Sequence, residues 1–279
     1  MMNNNEIAML AKDYREDKAV YPCYIEPKFD GVRVLAKVNG KENTVEFFFR
    51  SGKPVYTLEH LELPLLELVD GEEYYFDGEI TSEDGFMKCV GDVRRKSKQA
   101  PHLTYNIFDG FHANLNANTT DYLHRKEKLK EMLEDSSDSL EYVHYRVCKN
   151  YLEVLAYKDV WETMDSNVEG VMVKANTMYQ HKRTWDWMKI KDEQSVDFPI
   201  VDFYEGKGKY EGMLGGVIVE NPLTNVRIRV GGGYNDSERT LIWNNREDYI
   251  GKTAEVKYQY MTPKGSLRHP IYKGVRIDK

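Results

Sequence analysis

The sequence predicts an α+β fold, because strand-like and helical segments follow one another without a regular βαβ alternation. With 279 residues, 41% of them hydrophobic, the chain can form one large core or two ordinary ones. The pattern changes after Lys191, where short strands and frequent glycines replace a mixture of strands, helices and long connections. We therefore expect a first domain over 1–191, a linker over 192–195 and a second domain over 196–279.

Period-two alternation and short apolar runs predict the strands of the first domain. In residues 31–38, GVRVLAKV, the valines share one face and Arg33 points to the other. An Asn39-Gly40 turn leads to the next strand, 44–49, and further strands are predicted at 73–80, 103–111, 167–175 and 185–191. Helical spacing predicts helices at 57–69, limited by Pro64, at 121–135 with Asp121 as N-cap, and at 151–164.

The second domain reads as short strands separated by glycine-rich turns. Strands are predicted at 196–204, 214–220, 225–230, 252–262 and 270–277, with one helix at 236–245. Five strands and one helix in so short a segment are typical of a small β-barrel of the OB type.

Composition narrows the class of protein. No apolar run approaches the ~20 residues that a membrane span needs, and the polar N-terminus has no signal-peptide core, so we expect a cytoplasmic protein. The three cysteines form no C-x-x-C pair, which favours free thiols over a structural zinc site. A net charge of −7 argues against a generic nucleic-acid coat but allows a local basic groove.

Lys28 lies in a strand-like run, YIEPKF, directly before an Asp-Gly turn. A lysine in a strand is ordinarily a solvated residue that faces outward. Here its neighbours Ile25, Phe29 and Val32 are apolar, and Arg33 follows on the next strand. A partly desolvated lysine near other cations has a lowered pKa and becomes a nucleophile, which at phosphorus forms a phosphoramidate.

Other charged residues could support that chemistry. Displacement of pyrophosphate requires a divalent metal and several cations around the triphosphate. Glu79 and Glu169 each lie beside a glycine in an apolar strand, where a carboxylate needs a partner or a metal. Lys189 and Lys191 share one face of a strand. For any one of them, a solvated strand end or a salt bridge is an equally good interpretation, and their joint occurrence favours the functional one.

These residues resemble an ordered set of motifs. K-x-D-G-x-R, at Lys28 to Arg33, resembles the nucleotidyl-lysine signature of ATP-dependent DNA ligases, RNA ligases and mRNA-capping guanylyltransferases. Six further segments of this chain resemble the later elements of the family. In chain order they are FFFRSGKP with Arg50, YYFDGEI with Glu79, YNIFDGF with Phe108, VEGVMVK with Glu169 and Lys174, WMKIK with Lys189 and Lys191, and VRIDK with Arg276, Asp278 and Lys279. From about residue 24 to the end, the chain resembles a minimal, virus- or phage-type ATP-dependent DNA ligase. That family combines an ATP-grasp-like nucleotidyltransferase domain of antiparallel sheets and helices with an OB-fold barrel.

The resemblance implies a three-step reaction on nicked duplex DNA in replication, repair or recombination, carried out by a monomer with ATP and Mg²⁺. Lys28 would attack the α-phosphate of ATP, AMP would pass to the 5′-phosphate at the nick, and the 3′-hydroxyl would displace AMP. By the family pattern, Phe108 stacks on adenine and Glu26 helps to read it, with Lys174 also at the nucleotide. The resemblance also implies that Glu79 binds the ribose, that Arg33 and Arg50 bind the ribose or the nick phosphate, and that Glu169 and Glu79 bind the metal. It further implies that Lys189 and Lys191 contact the α-phosphate. Pyrophosphate would be oriented by Arg276, Asp278 and Lys279.

Three alternatives remain open from the sequence. A capping guanylyltransferase shares the lysine motif and the terminal R-x-D-K, although Lys174 and the Arg50-Ser51-Gly52 segment look more like ligases. An RNA ligase usually lacks this OB domain. A non-catalytic OB protein that binds nucleic acid would be expected to have lost a charged element, and none is missing.

Overall fold

The computed structural model describes residues 8–113, 120–192 and 194–276. Contacts divide them into two compact units, which separate between Lys191 and Asp192. Within the described residues, we find no helix that combines the length and the apolar character needed to cross a membrane.

The first unit contains eleven strands and four helices among its described residues. In chain order the strands are β1 Leu10–Asp13, β2 Cys23–Phe29, β3 Val32–Asn39, β4 Thr44–Phe49, β5 Pro54–Val55, β6 Glu73–Thr81, β7 Thr104–His112, β8 Leu140–Tyr142, β9 Arg146–Cys148, β10 Val168–Lys174 and β11 Arg183–Lys191. The helices are α1 Glu62–Glu67, α2 Phe86–Val93, α3 Tyr122–Leu133 and α4 Tyr151–Met164.

The strands form two sheets. The lysine sheet, named for Lys28, has the order β1-β11-β10-β2-β9, and the arginine sheet, named for Arg33, has the order β5-β4-β3-β6-β7-β8. Both are antiparallel except for the parallel pairs β1–β11 and β7–β8. The expectation of antiparallel sheets and helices is therefore confirmed for most strand pairs.

Each sheet buries one face against its own core, and the other two faces meet. The valine face of β3 joins a core that includes Leu65 of α1 and Leu129 of α3. Behind the lysine sheet, Ile25 packs with Val154 of α4. A third cluster joins Leu35 of the arginine sheet to Trp187 of the lysine sheet. Residues of several motifs lie near this junction, which we call the inter-sheet site and define by Glu26, Lys28, Arg33, Glu79 and Phe108.

Helix α1 is shorter than the pattern over 57–69 predicts. A 3₁₀ turn, Glu59–Leu61, precedes it, and Pro64 falls in the first turn of the α-helix. There the missing N–H of a proline costs no intrahelical hydrogen bond. The Asp121 cap of α3 is confirmed, because its Oδ1 accepts a hydrogen bond from the His124 amide at 3.1 Å.

The second unit is a five-stranded antiparallel sheet with one helix. Its elements are β12 Gln194–Glu205, β13 Leu214–Glu220, β14 Arg227–Val230, α5 Asp236–Asn244, β15 Thr253–Tyr258 and β16 Ile271–Val275, and the sheet order is β14-β13-β12-β15-β16. Strand β12 begins earlier than predicted, because Gln194 and Ser195 already pair with Tyr258 and Lys257 of β15.

The barrel predicted for this unit is not closed by a ladder among the described strands. An isolated bridge between Gly232 and Ile271 links the two edges instead. Gly233 directly follows this bridge at φ +98°, and a Cβ there would lie 2.1 Å from the Tyr272 carbonyl oxygen. The close approach of the two edges in an open sheet is compatible with a partly open OB-type barrel.

Candidate active site

Lys28 lies opposite a β-bulge. Phe29 pairs with Val168 and Pro27 with Val171, so that two residues of β10, Glu169 and Gly170, oppose the single Lys28 of β2. A bulge re-aims the side chains around it. As a result, Lys28 Nζ donates a hydrogen bond to Glu169 Oε1, and the two side chains keep 23% and 13% of their surface exposed. Lys28 is therefore largely desolvated yet still reachable by a substrate.

Two glycines allow neighbouring strands to approach closely beside Lys28. Gly31 follows Lys28 in the Asp-Gly turn, and a Cβ on it would lie 2.2 Å from the Ile80 carbonyl oxygen of β6. Gly170 adopts φ +152°, and a Cβ there would lie 2.1 Å from the Ile190 carbonyl oxygen. Both positions require glycine, because a larger residue would push the strands of the site apart.

Arg33 is held by a buried carboxylate that the motif analysis did not single out. Its Nε donates to Asp77 Oδ1 at 2.8 Å, and its Nη2 donates to Oδ2. The Tyr179 hydroxyl also donates to Asp77 Oδ2, at 2.6 Å. Burial favours the neutral form of Arg33, but the Asp77 carboxylate outweighs that effect and raises the pKa of the guanidinium. Arg33 thus remains a fixed positive charge.

Glu79 lies directly opposite Arg33 in the β3–β6 register. Burial raises the pKa of Glu79 to about 8; the cations of Lys28 and Arg33 oppose this shift, and the carboxylates of Glu169 and Asp77 add to it. These interactions place Glu79 among the charges around Lys28. The carboxyl group is poised to gain or lose a proton near neutral pH.

Phe108 occupies a second bulge. Asp77 pairs with Asp109 and Gly78 with Ile107, which leaves Phe108 as the extra residue of β7. Its ring packs edge-to-face on Trp187 of the lysine sheet, with ring centroids 5.9 Å apart. The Arg33 guanidinium lies 5.3 Å from the ring centroid of Phe108 and the Lys174 ammonium 4.9 Å. The bulge therefore places an aromatic ring between the two sheets.

Glu26 is buried in a network of hydrogen bonds. Only 1% of its side chain is exposed, and Oε1 accepts from the Tyr122 hydroxyl at 2.7 Å and lies 3.0 Å from Lys126 Nζ. Lys174, itself 1% exposed, pairs with Oε2. Lys126 and Tyr122 both come from α3, which carries none of the motifs.

The two lysines of β11 share the face of Glu26. Met172 of β10 pairs with Glu26 on one side and with Lys189 on the other, and Lys191 lies two residues further along the same face. Lys189 Nζ lies 3.2 Å from Asp13 Oδ1, a carboxylate that is 87% exposed. Both lysines are partly buried, so the expected face is present.

The other motif residues belong to a turn of the first unit, to the second unit, or to the part of the chain that is not described. Arg50 is exposed in the turn that follows β4. In the second unit, Arg276 Nε donates to Asp197 Oδ1 at 2.9 Å, and its Nη1 lies 3.4 Å from Glu255 Oε2. Asp278 and Lys279 lie outside the described residues.

Two carboxylates, those of Glu79 and Glu169, are available to bind a metal ion beside Lys28. Among the described residues, no group of three or more His, Cys, Asp or Glu side chains is arranged to hold a metal ion. Mg²⁺, however, is usually bound by one or two carboxylates together with substrate phosphates and water. The negative charge of Glu169 adds to the raised pKa of Glu79, which indicates that the two carboxyl groups are near each other. The pair therefore fits a divalent cation that arrives with a nucleotide.

Sequence analysis missed Asp77, Tyr122 and Lys126. A signal for the last two was present in α3. Tyr122, Lys126, Leu129 and Leu133 follow one another at intervals of four, three and four residues, the spacing of one helix face. All four are buried, so Lys126 occupies a core-facing position. A lysine at such a position requires a buried acceptor.

Comparison with known proteins agrees with this geometry. Residues 8–191 match a family model described as the ATP dependent DNA ligase domain, and residues 205–276 match the DNA ligase OB-like domain. A DNA ligase of Haemophilus influenzae is 24% identical over 272 residues, which cover 96% of this chain and 91% of that protein. The DNA ligase of enterobacteria phage T4 is 24% identical over 338 residues, covering 97% and 68%.

A solved structure named Pmar-Lig_PreS3 superposes with a TM-score of 0.84 and 26% identity, covering 96% of this chain and 67% of that one. The family model for the catalytic domain spans most of the chain, including Lys28 and the residues around it. The nucleotidyltransferase and OB-like architecture predicted from the sequence is thereby confirmed, and the chain belongs to the ATP-dependent DNA ligase family.

Proposed function

We propose that this DNA ligase seals nicks in duplex DNA through a covalent adenylate on Lys28 Nζ. The observation that carries the proposal is the position of Lys28, opposite a bulge that brings Glu169 to it and close enough to Glu79 to affect the ionisation of that carboxyl group. A largely buried lysine surrounded by charged groups of both signs is suited to nucleophilic attack on a phosphate.

In the first step Lys28 Nζ attacks the α-phosphorus of ATP. A P–N bond forms, the bond from the α-phosphorus to the bridging oxygen breaks, and pyrophosphate leaves. Nζ must lose a proton to become a nucleophile. Glu169 accepts its hydrogen bond and is the adjacent acceptor for that proton.

The next two steps transfer the adenylate and join the strands. An oxygen of the 5′-phosphate at the nick attacks the adenylate phosphorus, and Lys28 leaves and recovers its proton. The 3′-hydroxyl then attacks the activated 5′-phosphate, a phosphodiester forms and AMP departs. In this scheme the lysine returns to its starting state after each cycle.

The inter-sheet site supplies contacts for the nucleotide. Phe108 provides a ring for base stacking, and Lys189 and Lys191 provide positive charge for the α-phosphate. Glu26 accepts a hydrogen bond from Tyr122 and forms ion pairs with Lys126 and Lys174. These contacts orient its carboxylate, which we assign to an amino group of adenine. We assign Glu79 to bind the ribose, and Lys174 holds Glu26 in place.

Glu79 and Glu169 would hold Mg²⁺. The ion supplies neutralisation of the charge that develops on the phosphate oxygens. We assign Arg33 and Arg50 to the ribose or the nick phosphate, and Arg276, Asp278 and Lys279 to pyrophosphate in the first step. We further propose that the protein acts as a monomer in the cytoplasm, with residues 1–191 for adenylylation, 192–195 as linker and 196–279 as the OB domain.

Sealing of a singly nicked duplex tests the proposal. Wild type, Lys28→Ala and the control Lys128→Ala, an exposed lysine of α3, are incubated with the duplex, Mg²⁺ and either ATP or GTP. We expect sealing with ATP by wild type and Lys128→Ala, and a loss of at least about a thousandfold for Lys28→Ala. A covalent GMP adduct without sealing would overturn the proposal in favour of a capping enzyme.

A further inference from the structure

Lys126 of α3 links the two sheets at the place assigned to the nucleotide base. Its side chain is fully buried, and an ammonium group has three N–H donors. The three acceptors around it are Glu26 Oε1 at 3.0 Å, the Val143 carbonyl oxygen at 2.6 Å and the Phe108 carbonyl oxygen at 3.3 Å. Every donor of this buried cation therefore has a partner.

Those partners belong to different sheets. Glu26 lies on β2 of the lysine sheet, Phe108 is the bulged residue of β7 in the arginine sheet, and Val143 directly follows β8 of that same sheet. Lys126 thus fixes the distance between the backbone that carries Phe108 and the carboxylate of Glu26. These are the two groups that the proposed function assigns to stacking on the base and reading its edge.

Tyr122 adds a second tie from the same helix. Its hydroxyl donates to the Glu26 oxygen that Lys126 also contacts, at 2.7 Å, and the residue is fully buried. Helix α3 is itself anchored, because Arg125 pairs with the buried Asp109 through contacts of 2.8 and 3.0 Å. The helix that supplies Lys126 is therefore a rigid support for the base-binding groups.

We propose that Lys126, supported by Tyr122, is a positioning residue that sets the spacing between Phe108 and Glu26 and thereby the affinity for the base of ATP. This inference rests on the proposed function. The proposed role of Lys126 differs from a general role in stability, because it affects binding of the base of ATP and not of the phosphates. The phosphates are assigned to Lys189 and Lys191, which are on β11 and do not depend on α3.

The test compares Lys126→Met, Tyr122→Phe and the control Lys128→Met. Methionine keeps the length and apolar stem of lysine but removes all three donors, whereas phenylalanine removes one hydroxyl. Two ligands are used: α,β-methylene-ATP, which cannot release pyrophosphate, and inorganic tripolyphosphate, which has no base. Calorimetry gives the Kd of each ligand, and adenylylation kinetics give KM for ATP and kcat.

A misplaced base contact should weaken binding of the ATP analogue by about tenfold in Lys126→Met and by about threefold in Tyr122→Phe. KM for ATP should rise in parallel, with kcat at saturating ATP within about threefold of wild type. Tripolyphosphate binding should stay unchanged in both variants, and Lys128→Met should match wild type in every measurement.

A folded Lys126→Met protein with unchanged Kd and KM would overturn the inference, as would an equal loss for the two ligands or a loss confined to kcat. If Lys126→Met does not fold, Tyr122→Phe decides, and unchanged binding of the ATP analogue by that variant counts against the inference. Failure of the wild type to form a covalent adenylate would instead contradict the proposed function.

Discussion

Lys28 donates a hydrogen bond to Glu169, although 141 positions separate them in the chain. The contact exists because β10 carries one residue more than β2 at this point. An ammonium group is not nucleophilic, so Lys28 must lose a proton before it attacks phosphorus. Glu169 has three assigned tasks: to hold the resting lysine, to accept its proton in the first step, and to bind the metal that accompanies ATP.

Replacement of Glu169 by Gln tests the last two tasks. The amide keeps the size of the side chain but loses the charge, so we expect adenylylation to fall by about a hundredfold or more and half-saturation with Mg²⁺ to require a higher concentration. Rates of covalent AMP transfer measured over a series of Mg²⁺ concentrations give both quantities. Glu162→Gln, which removes the charge of a carboxylate paired with Lys158 on α4, is the control. An unchanged Mg²⁺ dependence would remove Glu169 from the metal site.

The buried pair of Arg33 and Asp77 should contribute strongly to stability. Asp77→Ala leaves a largely buried guanidinium without its carboxylate, which costs about 3–5 kcal/mol in comparable cases. Asp13→Ala removes an 87%-exposed partner of Lys189 and should cost less than about 1 kcal/mol. Urea unfolding of the full chain, followed by circular dichroism, compares the two variants. Similar unfolding midpoints would show that Asp77 is not a structural anchor.

Glu79 should make the stability depend on pH. Its pKa is raised from 4.5 to about 8 by burial, so the folded protein keeps a proton that the unfolded chain has already released in this interval. Stability contributed by the protonated form is therefore lost as pH rises through the interval. Glu79→Gln is neutral at every pH, and its Tm relative to wild type should increase between about pH 5 and about pH 9. A constant difference, as expected for the exposed control Glu134→Gln, would argue that Glu79 titrates normally.

Local signals predicted most elements of the fold. Helix α4 begins and ends where the sequence predicts, because Asn150 caps it by accepting a hydrogen bond from the Glu153 amide at 3.0 Å. Helix α2 was missed, since Gly85 precedes it and Gly91 lies within it, and glycine disfavours helices. Its stability depends instead on tertiary contacts such as the buried Cys89 thiol near the Ile80 carbonyl oxygen.

The candidate site was predictable only in part. Motif spacing identified Lys28, Glu79 and Phe108 as residues, but their arrangement depends on two bulges that arise from strand pairing. The partners of Glu26 are still more remote, because Tyr122 is 96 positions away in the sequence. No local pattern determines which buried carboxylate a helix will contact after two sheets have packed together.

Arg276 offers a test of a step-specific role. Its side chain is 36% exposed and pairs with Asp197 and Glu255, so Arg276→Ala should cost no more than about 1 kcal/mol of stability. If the residue orients pyrophosphate, the variant should lose about tenfold or more in self-adenylylation while sealing a pre-adenylylated nick within about threefold of wild type. Arg246→Ala, which removes an exposed arginine of the same unit, controls for lost surface charge. Equal losses in the two assays would assign Arg276 to DNA binding or to structure, because those roles serve every step alike.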